Sequence, residues 1–108
     1  MEMNHRFMRV MVFFDLPIET QKNRHDYAVF RRFLVKNGFI MMQKSVYSRL
    51  VANNVTSAAL KEKIRQNLPP EGLIELLEVT ENQFNGIEYM LGEKQSVVLD
   101  SMDRIVEV

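Results

Sequence analysis

The segment from Arg6 to Phe14 constrains the fold more than any other feature of this sequence. Its odd and its even positions both carry large apolar side chains, so neither face of a strand built from it can lie in water. Such a strand belongs in the middle of a sheet that is covered on both sides. Pro17 lacks the N–H that a sheet ladder needs, so the strand ends near Asp15. The sequence therefore predicts a carboxylate at the carboxyl end of a buried central strand.

The next two segments change from a helical to an extended pattern. Apolar residues at helical spacing predict a helix from about Glu19 to Asn37, and Gly38 is its stop signal. Extended character returns from Phe39 to Val51. The polar residues 43–45 within this stretch mark either a bulge or a division into two strands.

A second helix and a further strand complete the pattern. The helix is predicted after the capping residues Asn53-Asn54, and its apolar stripe runs to Leu68, just before Pro69-Pro70. Leu73 to Thr80 is a dense apolar strand, and residues 81–83 form a polar turn. This order predicts an α+β fold, a ferredoxin-like βαββαβ sandwich with helices on one face of an antiparallel sheet. The other sheet face also needs cover, and a homodimer is the simplest way to provide it.

The C-terminal part of the sequence is less regular. Residues 84–91 fit either a helix or a strand. Val97-Val98-Leu99 is a short apolar run, and Ile105, Val106 and Val108 form another that suits an edge strand of this chain or of a partner chain. We predict a single domain over residues 1–108, in which about residues 92–108 form an extension with an extra strand that can pair with the partner protomer.

Composition excludes several classes of protein. The 108 residues include no Cys, which excludes a disulfide framework, thiol catalysis and thiolate metal sites, and which suits a reducing cytosol. The apolar run Val10–Phe14 is too short for a signal sequence or a membrane span, so we expect a cytoplasmic protein without a membrane partner. The net charge is zero, yet residues 1–54 carry nine Lys and Arg against four Asp and Glu. The folded chain can gather these cations on one face, towards a polyanion.

Asp15 is the candidate catalytic and metal-binding residue. A carboxylate at a strand end beside a loop can reach a ligand while its backbone stays rigid. One carboxylate does not hold Mg²⁺ tightly, but a two-fold dimer supplies the same Asp twice, and two copies bridged by the ion could polarise a phosphodiester and activate water. The alternative interpretation is structural, because Asp before Pro17 also suits a turn or a helix cap.

The first predicted helix carries the candidate nucleic-acid-binding residues. Five cations lie mostly off its apolar stripe, namely Lys22, Arg24, Arg31, Arg32 and Lys36. They follow Asp15 directly in a strand-loop-helix unit, so they could hold phosphates beside a metal site. A solvated helix face without a ligand is the alternative.

Several short motifs carry a resemblance to a known family. They are the first strand with its ending Asp15-Leu16-Pro17, the run from Phe33 to Phe39, and the run from Gln43 to Ser48, which contains Gln-x-Ser-Val-Tyr. In this order they closely resemble the small CRISPR-associated adaptation protein, the second of the two universal members of that system. The segments Val79–Phe84 and Asp103–Val106 look like the form that accompanies a single large RNA-guided effector nuclease.

The resemblance implies both a fold and an activity. The fold is a ferredoxin-like homodimer that joins the CRISPR integrase subunit and helps to capture and insert new spacer DNA. The activity is metal-dependent cleavage of RNA or duplex DNA, with Mg²⁺ held by Asp15 and with Phe14 at the neighbouring aromatic position. Lys22 and Arg24 fall where the family often has basic residues. Many relatives have a further basic residue two positions before the motif Gln, where this chain has Met41.

A different class of function has less support from the sequence. A non-catalytic ferredoxin-like module could bind single-stranded RNA or a small ligand. The RNA platform needs exposed sheet aromatics in the pattern Lys/Arg-Gly-Phe/Tyr-Gly/Ala-Phe, which is absent here. A ligand-binding module usually has glycine in the first strand-helix loop, which here reads Leu16-Pro17-Ile18-Glu19.

Overall fold

The computed structural model describes residues 7–94. Its elements are β1 (Met8–Asp15), α1 (Gln21–Lys36), β2 (Ile40–Gln43), β3 (Val46–Val51), α2 (Asn54–Arg65), β4 (Leu73–Thr80) and α3 (Glu81–Asn85). The strands of this part of the chain form one antiparallel sheet in the order β2-β3-β1-β4. The predicted α+β class and βαββαβ order are confirmed, and the sheet order is consistent with a ferredoxin-like fold. The apolar runs at 97–99 and 105–108, and the extension from residue 95 onward, lie outside the described residues. No helix within residues 7–94 has the length and apolar character needed to cross a bilayer.

The hydrophobic core lies between the sheet and the helices. Val10, Val12 and Phe14 of β1 face this side and are at most 5% exposed. They pack in one cluster with Phe30 and Leu34 of α1. Burial of each such side chain contributes roughly 1.5–3 kcal/mol. The expectation of a central strand is confirmed, because β1 pairs with β3 on one side and with β4 on the other.

The sheet face opposite the helices is called the open face, and its β1 residues include Met11, Phe13 and Asp15. The chain after β4 covers part of it and leaves a groove of about 630 Å³, lined by Met11, Phe13 and several residues of the segment 84–94. The predicted cover of the second face therefore comes in part from the chain itself. Leu77 of β4, which is opposite Met11, remains 52% exposed.

An ion pair holds α3 against the start of β1. The Arg9 guanidinium donates two hydrogen bonds to the Glu81 carboxylate, at 3.1 Å and 2.7 Å. The same guanidinium lies 4.3 Å from the ring centroid of Phe84. Paired contacts of this kind fix orientation as well as distance. Arg9 thereby anchors α3 at the end of β1 that is remote from Asp15.

The polar turn predicted at residues 81–83 is instead the first turn of α3, so that prediction is wrong. The Thr80 hydroxyl accepts a hydrogen bond from the Gln83 backbone N–H at 3.0 Å, and the Gln83 side-chain oxygen accepts one from the Thr80 backbone N–H at 2.9 Å. This reciprocal arrangement is a capping box, which starts a helix directly at the end of β4. A Thr followed three positions later by Gln was the available sequence signal.

The two alternatives for residues 39–51 are both present in the structure. The segment divides into β2 and β3, and their register also shifts between Met41 and Gln43, which makes an irregularity in the ladder. The turn between the strands is held against the core, because the Tyr27 hydroxyl donates to the Lys44 carbonyl at 3.4 Å. The Phe14 backbone N–H donates to the Ser45 carbonyl at 3.1 Å. The turn thus lies beside the carboxyl end of β1.

Helix α2 ends earlier than the sequence predicts. It stops at Arg65, and Leu68 is 50% exposed rather than part of its apolar stripe. Asn67 explains the stop, because its backbone N–H donates to the Ile64 carbonyl and its side chain donates to the Lys63 carbonyl. Leu68 also precedes a proline, which disfavours the helical conformation at that position.

The ion pair between α2 and β4 gives a pH-dependent prediction. Lys61 Nζ lies 2.7 Å from Glu78 Oε1, and this hydrogen bond lowers the pKa of Glu78 below its ordinary value despite the opposing effect of burial. A lowered pKa means that the pair stabilises the fold at neutral pH and that this contribution disappears as the pH falls through the folded-state pKa. We expect Glu78→Gln to cost about 1 kcal/mol at pH 7 and progressively less as the pH falls below the ordinary range of a Glu carboxyl.

Urea unfolding of both proteins between about pH 7 and pH 3 measures this difference, and the shared titration of all other carboxylates cancels in the comparison. A difference in the free energy of unfolding that stays constant with pH would contradict the assignment.

Candidate functional site

Asp15 is the last residue of β1 and faces away from the helices. It pairs with Leu73, the first residue of β4, and its side chain is exposed. The orientation follows from the strand period, because Phe14 faces the core and its neighbour must face the opposite side. The predicted position of this carboxylate, at the carboxyl end of the central strand, is confirmed. Its predicted catalytic and metal-binding role stays a prediction.

The backbone that carries Asp15 is anchored by an aromatic cluster. The Phe14 ring lies 5.4 Å from the Phe30 ring, 5.7 Å from the Tyr47 ring and 5.8 Å from the Tyr27 ring, measured between centroids. Phe14 is only 5% exposed, so the aromatic residue beside the candidate carboxylate has a packing role. The side chain of Asp15 is thereby presented to solvent from a rigid position.

Two residues that sequence reasoning did not single out lie near Asp15. Lys44 is in the β2–β3 turn, which the Phe14 backbone holds at this end of the sheet, and its side chain is exposed. Glu75 is opposite Phe13, on the open face, one diagonal step from Asp15. The polar break at residues 43–45 hinted at Lys44. The position of Glu75 depends on strand register, which a single sequence does not determine.

The number of oxygen ligands at the end of β1 determines how well the candidate site at Asp15 fits Mg²⁺. The ion takes six oxygens, commonly from one or two carboxylates together with waters and substrate phosphates. Within residues 7–94 no group of three acidic or histidine side chains is placed to hold a metal. Asp15 takes part in none of the ion pairs found in that range. The residues fit the ion as one carboxylate ligand, in a shell that a second copy of the chain and a phosphate would complete.

The five predicted nucleic-acid-binding cations are all exposed on α1, but two of them already have local partners. Lys22 Nζ lies 2.9 Å from the Asp26 carboxylate. Arg24 donates to the backbone carbonyls of Ile18 and Glu19, at 3.0 Å and 3.1 Å. Arg24 therefore braces the loop that follows Asp15, and its remaining donors are available to a ligand.

The other three cations are Arg31, Arg32 and Lys36. Arg31 lies beside the buried hydroxyl of Tyr47, where burial raises the pKa of Tyr47 and the guanidinium offsets part of that rise. Arg32 and Lys36 are exposed in the second half of α1 and take part in none of the ion pairs found within residues 7–94. Since α1 packs on the core side of the sheet, most of these cations and the Asp15 side chain lie on opposite sheet faces.

Met41 stands at the edge of the sheet, two positions before the Gln of the motif at residues 43–48. It belongs to β2, is 49% exposed and lines the groove beside the open face. The side chain is flexible and apolar, so it supplies contact surface rather than a phosphate contact.

The fold and the candidate site define a class: a small α+β protein with an exposed carboxylate at the end of its central strand and a cation-bearing helix behind it. The family model "CRISPR associated protein Cas2" matches residues 8–87, which include β1 to β4 and the candidate carboxylate. The chain belongs to the Cas2 family.

Similar proteins cover nearly the whole chain. A protein of Treponema denticola named CRISPR-associated endoribonuclease Cas2 is 52% identical over 99 residues, which are 92% of this chain and 98% of that protein. A protein of the same name from Streptococcus mutans is 42% identical over 92% of this chain and 91% of its own length. Another from Lacticaseibacillus rhamnosus is 39% identical over 94% of this chain and 100% of its own length. The resemblance to the small CRISPR-associated protein family is thus confirmed.

Proposed function

We propose that the protein is a CRISPR adaptation protein. It forms a homodimer that holds duplex DNA together with the integrase subunit, and it cleaves phosphodiester bonds of RNA or DNA with Mg²⁺ at Asp15. The observation that carries this proposal is the exposed Asp15 carboxylate at the rigid end of β1, on the open face. The names of the relatives, CRISPR-associated endoribonucleases, support the nuclease activity, and membership of the family supports the role in spacer acquisition.

The homodimer forms through the open face. Apolar side chains remain exposed there, with Leu73 at 56% and Leu77 at 52%, both on β4. A patch of this kind on a small protein favours association, and a two-fold axis makes it self-complementary. Because Asp15 is opposite Leu73, the same contact brings the two Asp15 carboxylates towards the axis. The dimer is therefore part of the site and not only a source of stability.

In the proposed cleavage reaction the residues of the chain bind the ion and orient the substrate phosphate. The two Asp15 carboxylates would hold the ion, and the rigid ends of β1 would fix the positions of these carboxylates. The chemistry that Mg²⁺ would supply there is a lower pKa of a water molecule and stabilisation of negative charge on the phosphoryl oxygens. Lys44 and Arg24, at the same end of the sheet, neutralise neighbouring phosphates of the bound nucleic acid.

The proposed scaffold function depends on contacts to the sugar-phosphate backbone of DNA and needs no recognition of the bases. Arg32 and Lys36 present exposed charges on the outer surface of α1, and the dimer doubles this surface. Contacts to phosphate fix the position of a duplex without reading its sequence. The integrase subunit then receives a duplex that is held independently of its sequence, as spacer capture requires.

A salt titration of the wild-type protein tests the DNA-binding part of this proposal. With several phosphates contacted per dimer, the dissociation constant for a labelled duplex should rise about 100-fold between 50 mM and 200 mM salt. The double variant Arg32→Ala and Lys36→Ala should weaken the binding of duplexes of different sequence by the same factor. It should also make binding less dependent on salt, because fewer phosphate contacts release fewer counterions.

Lys63→Ala is the matched control for the salt titration. It removes an exposed cation from the last turn of α2 and leaves α1 unchanged. We expect binding within about twofold of wild type for this variant, since isolated surface charges contribute little. Binding that does not respond to salt, or a loss as large with Lys63→Ala, would contradict DNA binding through α1.

A further inference from the structure

The turn before β4 contains a glycine that approaches Asp15 closely. Gly72 has a φ of +113°, a backbone conformation that other residues rarely adopt. A Cβ atom at this position would lie 2.5 Å from Leu16 Cδ2, 2.9 Å from the Asp15 carbonyl oxygen and 3.2 Å from Leu16 Cα. Two of these three atoms are backbone, so a side-chain rotation cannot relieve the contact. Any residue other than glycine must therefore move the turn and the backbone of residues 15–16 apart.

The contact lies at the last rung of the sheet. Asp15 pairs with Leu73, and Gly72 is the residue immediately before that pair. On its other side Asp15 is followed by Leu16, which is 8% exposed and belongs to the core cluster. The Asp15 side chain forms none of the ion pairs found within residues 7–94, so the position of its backbone sets the region that its carboxylate can reach.

A hydrogen bond tethers the turn to the start of α1. The Asn23 side-chain nitrogen donates to the Glu71 carboxylate at 3.2 Å. Asn23 is also the partner of Thr20 in the capping box that begins α1. Glu71 therefore links the turn before β4 to the helix that follows the Asp15 loop. The tether and the close approach at Gly72 act on the same short stretch of backbone.

We propose that Gly72 is a positioning residue for Asp15: its missing side chain allows the turn before β4 to approach the backbone of residues 15–16, and this contact fixes where the carboxylate stands. Glu71 supports the arrangement through its bond to Asn23. The inference rests on the proposed metal-binding role of Asp15. It adds that the affinity of the site for a divalent cation is set partly by a residue that touches neither metal nor nucleic acid.

The test uses the full-length protein and Mn²⁺ as the probe. Paramagnetic broadening of the amide signals of Asp15 and Leu73 reports cation binding at this place without any catalytic turnover. Gly72→Ala should raise the Mn²⁺ concentration at half-broadening about 10-fold and lower the cleavage rate at saturating nucleic acid by a similar factor, since small displacements of a positioned group have effects of this order. Duplex binding by α1 should stay within about twofold of wild type.

Gly92→Ala is the matched control for backbone strain. Gly92 has a φ of +88°, and nothing lies within 4 Å of a Cβ built there, so the variant carries the same kind of strain without the contact. Its Mn²⁺ response should equal that of wild type. If Gly72→Ala does not fold, Glu71→Ala is the test instead, and it should raise the Mn²⁺ concentration at half-broadening about threefold. Glu71→Gln keeps an acceptor for Asn23, so its Mn²⁺ concentration at half-broadening should equal that of wild type.

The outcomes separate this inference from the proposed function. A folded Gly72→Ala, or Glu71→Ala in its place, with a wild-type Mn²⁺ response overturns the positioning role, even if wild type cleaves. If these variants bind Mn²⁺ at Asp15 more weakly but the wild type cleaves no nucleic acid, the positioning role is supported and the proposed nuclease activity is contradicted. Absence of Mn²⁺ broadening at Asp15 in wild type overturns both.

Discussion

Asp15→Asn should lower metal-dependent cleavage of labelled RNA or duplex DNA by at least about 100-fold and leave binding of the nucleic acid nearly unchanged. The amide is close in size to the carboxylate, so the exposed end of β1 keeps its structure, while the negative charge that holds the cation is lost. Cleavage and binding are measured on the same samples, with Mg²⁺ and with EDTA. In EDTA the wild type should match the variant.

Glu75→Gln is the matched control for this experiment. It removes a carboxylate from the same open face, one diagonal step from Asp15, on the neighbouring strand. We expect its cleavage rate to stay within about threefold of wild type, because the proposed site uses the paired Asp15 residues. Full cleavage by Asp15→Asn would exclude the nuclease proposal, whereas cleavage by neither protein, with duplex binding intact, would leave the scaffold function alone.

Leu77→Glu should convert the dimer into a monomer and weaken cleavage and duplex binding together. Leu77 stands on the open face of β4, 52% exposed in the single chain, and the two-fold contact would bury it. In the dimer, a carboxylate at position 77 would either lose its hydration or hold the two open faces apart. Burying an unpaired charge costs several kcal/mol. The dissociation constant of the dimer should therefore rise at least about 100-fold, which light scattering over a concentration series measures.

Leu68→Glu gives this experiment a control of equal exposure. Leu68 is 50% exposed in the connection after α2, outside the sheet, so the same chemical change occurs away from the open face. This variant should remain a dimer with wild-type cleavage. Equal dissociation of both variants would show that general surface charge, and not the open face, controls association.

The sequence was enough to place the central strand and its terminal carboxylate. β1 carries apolar residues at both parities, and Pro17 cannot continue a ladder, so the position of Asp15 followed from local chemistry. The start of α1 followed in the same way, although its capping residue is Thr20 and the helix begins two residues later than about Glu19. Such features depend on neighbours in the chain, and for that reason a single sequence contains them.

The remaining features depend on contacts between distant residues. The pair of Arg9 with Glu81 joins residues 72 positions apart, and it holds α3 against the start of β1. Glu75 reaches the open face only through the register between β1 and β4. Arg24 was predicted as a phosphate ligand but also braces the loop after Asp15, a contact that depends on the path of that loop. Periodicity and composition contain no information about any of these pairings.

The position of β1 between β3 and β4 also determines when this chain can fold during its synthesis. Within residues 7–94, β1 is the first strand made, yet its partner along one whole edge, Leu73–Thr80, is made after the other strands of that range and after α1 and α2. Until then an apolar segment with two faces to bury has neither its second ladder nor its full core, a state in which nascent chains aggregate. The ladder that pairs Asp15 with Leu73 can therefore close only after residues 73–80 have left the ribosome, so the surroundings of the candidate carboxylate are completed late in synthesis.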